Sequence, residues 1–173
     1  MSARRQQPAW SASFAATAEE HLDDVYAYLV YLTHDRSLAE DLAADTFEKA
    51  LRHWGRFDAR RASARTWLCQ IARTTALDWF RAEERRRRRE EQVALPERVD
   101  DAFGEGLSPA LESALAGLSA AEREVVALRV LLELDGEETA RVLGISPSNV
   151  STRLSRAMDK LTAKLEEKVD AHV

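Results

Sequence analysis

The chain has 173 residues, 45% hydrophobic and 32% charged, with a net charge of −5 and a pI near 5.5, and that acidic balance excludes a protein that holds DNA unaided by charge alone. A single cysteine, Cys69, excludes a disulfide framework and a thiolate zinc site, while His21, His34, His53 and His172 lack ligand spacing and read as ordinary surface or boundary residues. No apolar run is long enough to cross a membrane and no signal peptide is visible, so an intracellular, reduced protein is expected.

Residues 1–12 are polar, include Pro8 and are expected to fray. From about Ser13, Phe14, Ala18, Leu22, Val25, Leu29 and Leu32 recur at helical spacing, which predicts a first amphipathic helix to about Thr33. Ser37-Leu38-Ala39-Glu40 has the pattern of a capping box, so a second helix is expected to start there, carry Leu42, Thr46, Phe47, Ala50, Leu51 and Trp54, and end at Gly55. A basic loop, GRFDARRAS, leads to a third helix marked by Trp67, Leu68, Ile71, Ala72, Thr75 and Trp79, which runs on into Arg85 to Arg89. Residues 90–107 lose the period and gain Pro96, Gly104, Gly106 and acid, the composition of a linker with at most a transient helical turn.

Leu111, Leu115 and Leu118 open a second domain, and AEREVVALRVLLELD continues it with Val125, Leu128 and Leu132 as one stripe. LDGEETARVLG, with Ala140 and Leu143 on one face, then stops at Gly144; Ile145 fills a turn and Ser146-Pro147 is a good cap and first-turn pair for a final helix. On that helix Val150, Leu154, Ala157, Leu161 and Leu165 form the buried stripe, and Ser148, Ser151, Thr152, Ser155 and Asp159 lie opposite, flanked by Asn149 and Arg156. This is helix-turn-helix spacing with the last helix in the recognition position. Spacing alone fits an ordinary helical hairpin equally. Composition favours DNA, because short hydroxyls, Asn and two arginines suit base edges and phosphates, whereas a merely solvated face fills with Glu and Lys. Nothing alternates as a strand, so the expected class is all-α, with two small helical domains joined by a flexible linker.

Two surfaces of the first domain have competing readings. Arg81 and Arg85 to Arg89, with Trp67, Trp79 and Phe80 nearby, could engage phosphates and unstacked bases, or could be a solvated run balanced by Glu83, Glu84, Glu90 and Glu91. Glu40, Asp41, Asp45, Glu48 and Lys49 ring the second helix, either as a docking surface for a protein partner or as an ordinary charged face.

In their order, SLAEDLAADTFEKAL, then SARTWLCQIARTTALDWFRAEERRRR, then LSAAEREVVALRVLLELDGEETARVLGISPSNVSTRLSRAMDKL closely resemble regions 2 and 4 of extracytoplasmic-function sigma factors, over nearly the whole chain after about residue 13. The resemblance implies a region 2 bundle at 13–89, the linker at 90–107 and a region 4 helix-turn-helix at 108–168. It implies docking on the polymerase β′ clamp helices through Glu40, Asp41, Asp45, Phe47 and Lys49, with the β flap as a further contact. It assigns recognition and melting of the −10 element, by capture of a flipped base, to the loop residues Arg56, Phe57, Arg60, Arg61 and Ser63 and to Arg73, Thr74, Asp78 and Arg81. It assigns the −35 element to Ser148, Asn149, Ser151, Thr152, Arg153, Ser155 and Arg156, with the serines and Thr152 at base-reading positions and the arginines on phosphates.

The resemblance also implies promoter DNA, core RNA polymerase and an anti-sigma factor as partners, no cofactor or metal, no catalysis, and a cytoplasmic location in a bacterium, with tethering to the membrane through the anti-sigma factor. A stand-alone helix-turn-helix regulator is the alternative. Two departures mark this chain. Thr74 stands where the family commonly has Asn in IARN, and the recognition helix carries Ser where relatives often have longer basic side chains.

Overall fold

The computed structural model describes residues 9–90 and 109–170. The fraying expected for the first eight residues, and the linker apart from Glu90, lie outside the described residues. The first domain packs three long helices against one another: α1 (Ala9–Thr33), α2 (Arg36–His53) and α3 (Ala64–Glu90). α1 therefore begins before the expected Ser13, and Glu90 closes α3 instead of opening the linker.

The corner between α1 and α2 corrects the capping assignment. His34 adopts the left-handed conformation (φ 54°) that helix ends usually reserve for Gly or Asn, and its N–H donates to the Val30 carbonyl at 2.9 Å. Asp35 follows in extended conformation and its carboxylate accepts the Leu38 N–H at 3.0 Å, so Asp35, not Ser37, is the N-cap. Both residues can cap, and the early reversal at His34 selects the earlier one. At the other end α2 stops at His53, and Gly55 sits inside a 3-10 turn, Trp54–Arg56, instead of ending the helix.

The core of this domain is built from Val25, Tyr28 and Leu29 of α1, Leu42 and Ala50 of α2, and Leu68, Cys69 and Ala72 of α3, all buried. Burial pushes the Cys69 thiol up to about 12, so it is a packing residue with no nucleophilic character at neutral pH.

The second domain contains α4 (Pro109–Ala116), α5 (Ala120–Val126), α6 (Gly136–Leu143) and α7 (Pro147–Asp170). Val125, Leu128 and Leu132 are buried as expected, yet the helix carrying them is not continuous. After Val126 the residues Ala127–Leu131 form a π turn, closed by Leu132 N–H donating to the Ala127 carbonyl at 2.9 Å. The widened turn leaves Val130 and Leu131 more than half exposed (57% and 51%).

Glu122 ties α5 to α7. It completes a capping box with Ser119, and its carboxylate accepts a hydrogen bond from Lys160 Nζ at 2.8 Å. The Lys160 contact first, and then the Ser119 N–H, hold this carboxyl down to about 2. A carboxyl lowered in the folded state stabilises fully above its ordinary value and loses that stabilisation as pH falls toward its folded value. We therefore expect the melting temperature of the chain to fall on acidification between the ordinary glutamate value and about pH 2. Glu122→Gln should reduce that dependence. An identical acid profile in the variant, read by thermal unfolding, would show that Glu122 does not carry it.

The two domains share one apolar cluster. Val125, Leu128, Leu132 and Leu134 of the second domain lie with Val25, Tyr28, Leu29 and Leu68 of the first, and α6 packs against α3. A smaller cluster of Ala114, Leu115, Leu118, Val126, Ala157 and Leu161 holds α4 and α5 to α7.

Candidate nucleic-acid and polymerase surfaces

Gly144 ends α6 in the left-handed conformation (φ 66°), where a side chain would be strained. Two residues on, Ser146 caps α7: its Oγ accepts the Asn149 N–H at 3.3 Å and its carbonyl accepts the Val150 N–H at 3.1 Å. Pro147, lacking an N–H, opens the helix. Val150, Ala157 and Leu161 are buried and Leu154 and Leu165 partly so, which turns Ser148, Asn149, Ser151, Thr152, Ser155 and Arg156 outward, with Arg153 half-buried at the edge. The Ser151 and Thr152 hydroxyls donate back to the Pro147 and Ser148 carbonyls at 3.2 and 3.0 Å. Their protons are thus committed to the helix and their lone pairs face out, an arrangement suited to amino donors such as adenine N6 and cytosine N4 in a major groove.

In the first domain, Phe57 stacks on Trp54 (centroids 5.0 Å, planes 15° apart) and leans on Trp67 (5.2 Å), while Trp54 and Trp67 lie 5.9 Å apart. Phe57 is therefore a strut that pins the loop. Around it Arg56, Arg60 and Arg61 are exposed, and Arg60 is steadied by Asp58 at 3.4 Å. Beside this cluster a cavity of about 270 Å³ is lined by Lys49, His53, Trp67, Gln70, Ile71, Thr74 and Thr75. Thr74 lies on that wall, with its hydroxyl proton given to the Gln70 carbonyl at 2.9 Å. Lys49, assigned by resemblance to the polymerase surface, reaches α3 and donates to Thr75 Oγ1 at 3.1 Å.

The other assigned residues separate into groups. Glu40, Asp41 and Asp45 are exposed on α2, whereas Phe47 is half-buried and packs on the core. Asp78 and Arg81 form an exposed pair at 3.1 Å. In the arginine run, Arg86 and Arg87 pair with Glu83 at 2.9 and 3.3 Å and Arg88 with Glu84 at 2.9 Å, so these cations are balanced within their own helix. Arg73 faces the second domain and reaches Glu124 at 2.6 Å.

Sequence reasoning missed the junction between the domains. Glu124 accepts from both Arg73 and the buried Tyr28 hydroxyl (3.0 Å), and Arg123 meets His34 at 2.9 Å, so of the two readings of His34, surface or boundary, it is a boundary residue between the domains. Glu138 accepts the Ser63 and Thr66 hydroxyls at 2.9 Å each, and Gln70 Nε2 donates to the Arg141 carbonyl at 3.0 Å. Burial alone would raise the Glu138 carboxyl; the Asp135 N–H and the two hydroxyls overcome that and hold it below its ordinary value. Among the described residues no cluster could hold a metal, and no helix is long and apolar enough to cross a membrane.

The Sigma-70 region 2 family matches residues 17–86 and the Sigma-70, region 4 family matches residues 108–161. The extracytoplasmic-function (ECF) sigma factor SigC of Mycobacterium tuberculosis is 36% identical over 83% of this chain and 78% of its own length. BldN of Streptomyces coelicolor, also an ECF sigma factor, is 32% identical over 94% of this chain, which spans 64% of BldN. Among solved structures, the sigma factor RpoE in complex with the anti-sigma factor NepR from Bartonella quintana superposes with a TM-score of 0.76 at 25% identity, over 89% of this chain and 97% of that one. CnrH in complex with the cytosolic domain of CnrY gives a TM-score of 0.66 at 25% identity, over 91% and 90%. Matched by both families in one order, and by relatives that share about a third of its residues, the chain belongs to the ECF sigma factors of RNA polymerase.

Proposed function

We propose that the chain directs core RNA polymerase to specific promoters and assists initiation there. Sigma factors read promoters as subunits of the holoenzyme, which reconciles a DNA-reading helix with a net charge of −5. The observation that carries the reading is the outer face of α7, where hydroxyls, Asn149 and two arginines occupy the recognition position opposite a buried Val150. In this reading residues 108–168 take the −35 element, residues 13–89 dock on the β′ clamp helices and open the −10 element, and residues 90–107 join them. A stand-alone helix-turn-helix regulator leaves the region 2 match at 17–86 without a role. Run-off transcription with purified core polymerase tests the proposal: a defined start site is expected only when this chain is added, and its absence on a genomic promoter library would refute it.

Two substitutions divide the work of α7. Ser151→Ala or Thr152→Ala should shift preference at particular −35 bases by about 1 kcal/mol, the loss of a base contact. Arg156→Ala should weaken all promoter variants alike and flatten the salt dependence. A panel of −35 variants that responds the same way to both kinds of change would reverse the assignment.

For the polymerase surface, Asp41→Arg is the sharper variant, since Asp41 is exposed and its replacement spares the core, whereas Phe47→Ala also removes core packing. Asp41→Arg is expected to weaken binding to core polymerase by about tenfold with an unchanged melting temperature. Titration of labelled protein with core polymerase checks this, and wild-type affinity would move the docking surface elsewhere.

RpoE is seen with the anti-sigma factor NepR, and CnrH with the cytosolic domain of CnrY. We extend that class of partner to this chain, as a protein covering both the polymerase-binding and DNA-binding faces, with the chain cytoplasmic and held at the membrane where its anti-sigma factor is anchored there. Co-purification from the native host under resting conditions is expected to yield that partner.

A further inference from the structure

Helix α7 carries its polar groups in two stripes. Asn149, Arg153 and Arg156 recur at steps of four and three residues and form one, rich in donors. Ser148, Ser151, Thr152, Ser155 and Asp159 form the other, all exposed and turned away from the buried Val150, Ala157 and Leu161. In the second stripe two hydroxyl protons are already committed. Ser151 Oγ donates to the Pro147 carbonyl at 3.2 Å and Thr152 Oγ1 to the Ser148 carbonyl at 3.0 Å, each one turn back along the helix. A hydroxyl has a single proton and two lone pairs. To donate to a base, either residue would have to give up the bond it makes. To accept from one it gives up nothing, and the existing bond polarises its oxygen into a better acceptor. Ser155 differs, because no hydrogen bond among the described residues takes up its hydroxyl, so it can serve either way. Asp159, one turn further and outside every ion pair among the described residues, continues the stripe with a carboxylate, which when ionised only accepts.

We propose that Ser151 and Thr152 read only the exocyclic amino groups of adenine and cytosine, and that promoter use by this chain is for that reason sensitive to methylation of those amino groups. The proposal rests on the promoter reading above and narrows it to one hydrogen-bond polarity. In the major groove an amino N–H is offered only by adenine N6 and cytosine N4, whereas guanine offers N7 and O6, and thymine offers O4 and a methyl group. A hydroxyl lone pair set against N7, O6 or O4 meets another lone pair, so the oxygens that accept from an amino group repel its alternatives. The commonest specific contact, Arg or Lys on guanine, has the opposite polarity. Here the arginines lie on the flanking stripe, a placement suited to phosphates. A base-paired N6-methyladenine or N4-methylcytosine keeps its remaining N–H in the pair and turns the methyl group into the groove. The acceptor then faces a methyl group where it needs a proton. A methyl group at C5 of cytosine leaves the amino proton in place.

The test uses holoenzyme reconstituted from the full chain and core polymerase, in run-off transcription from templates with a randomised −35 region. Ser151→Ala and Thr152→Val change exposed positions that carry no core packing, and they locate the base pairs whose preference each hydroxyl sets. At those pairs of the selected template, single analogues are then introduced. Purine and 2-pyrimidinone lack the amino group of adenine and cytosine; 7-deazaadenine and 7-deazaguanine lack only N7 of the purine in the same pair; N6-methyladenine and N4-methylcytosine carry the mark. Removal or methylation of the amino group is expected to lower initiation about tenfold, as for one good base contact, and removal of N7 by less than about twofold. In the variant that lacks the matching hydroxyl, removal of the amino group should cost less than about twofold, since its partner is already gone. A preference unmoved by either substitution, a loss on removing N7 as large as on removing the amino group, or equal losses in wild type and variant would each overturn the proposal. The two readings fail separately. Defined initiation that ignores the amino groups keeps the promoter reading and removes this one; amino-dependent capture of −35 duplexes by the full chain in a binding selection, with no defined start from any template, does the reverse.

Discussion

Leu128→Ala is expected to lower the stability of the chain by about 3 kcal/mol, near the low end of fully buried Leu→Ala changes. Leu128 has no exposed surface and lies in the cluster that joins the two domains, among residues from α1, α3, α6 and α7. Such a change costs the transfer of the lost methyl groups plus the cavity left behind, and the second part depends on whether the walls can close. Here they cannot. The π turn is pinned by Leu132 N–H to the Ala127 carbonyl and Leu134 N–H to the Leu128 carbonyl, both at 2.9 Å, and by the Arg129 side chain on the Leu134 carbonyl. Leu161, in the smaller cluster and slightly exposed, has room for its helix to settle, so Leu161→Ala should cost less. Urea unfolding measures both: a lower midpoint with an unchanged slope is the expected result for Leu128→Ala. A cost under about 1 kcal/mol would mean that the site collapses freely, and with it the claim that this core holds the domains together.

What the sequence disclosed divides along local and non-local lines. The helix-turn-helix was legible because its signals are local: Gly144 for a left-handed end, Ser146 for a cap, Pro147 for a start, and Val150 setting the phase of the helix. The balance of the arginine run was legible as well, since Glu83 and Glu84 stand three and four residues from their partners. The α2 cap was misread because Asp35 and Ser37 are both good caps and only the left-handed His34 chooses between them. The π turn was hidden because Val125, Leu128 and Leu132 keep a helical spacing while one backbone hydrogen bond slips by a residue to fit the domain beneath. Hidden most completely was the junction. Glu124 and Glu138 look like ordinary surface acids, and Gln70 like any solvated residue, until α6 lies against α3. The same holds within α2: that Lys49 reaches Thr75 of α3 and that Phe47 packs on the core are contacts set by the fold, which helical spacing alone does not disclose.

Trp67→Ala is expected to slow opening of the promoter by about tenfold or more, since one stacking platform for a base is worth about 1–3 kcal/mol. Trp67 has two structural duties. It supports the loop, with Phe57 at 5.2 Å and Trp54 at 5.9 Å, and it forms one wall of the cavity that Thr74 also lines. Removing the indole takes away one of the two rings that hold Phe57, leaving Trp54, and widens the space in which an extruded base would stack. Trp67→Phe keeps a ring in place and should recover most of the rate. Thr74→Asn provides the complementary change, because the Thr74 proton is held by the Gln70 carbonyl at 2.9 Å and only its lone pairs face the cavity. An amide there adds a donor, so the base preferred at one −10 position should change while the rate changes little. Permanganate footprinting of the open complex on a panel of −10 variants reads both effects, with polymerase binding measured separately to hold that step fixed. Unaltered opening in Trp67→Ala, in a protein whose melting temperature shows it folded, would remove the cavity from the melting step and leave the aromatic cluster as packing alone.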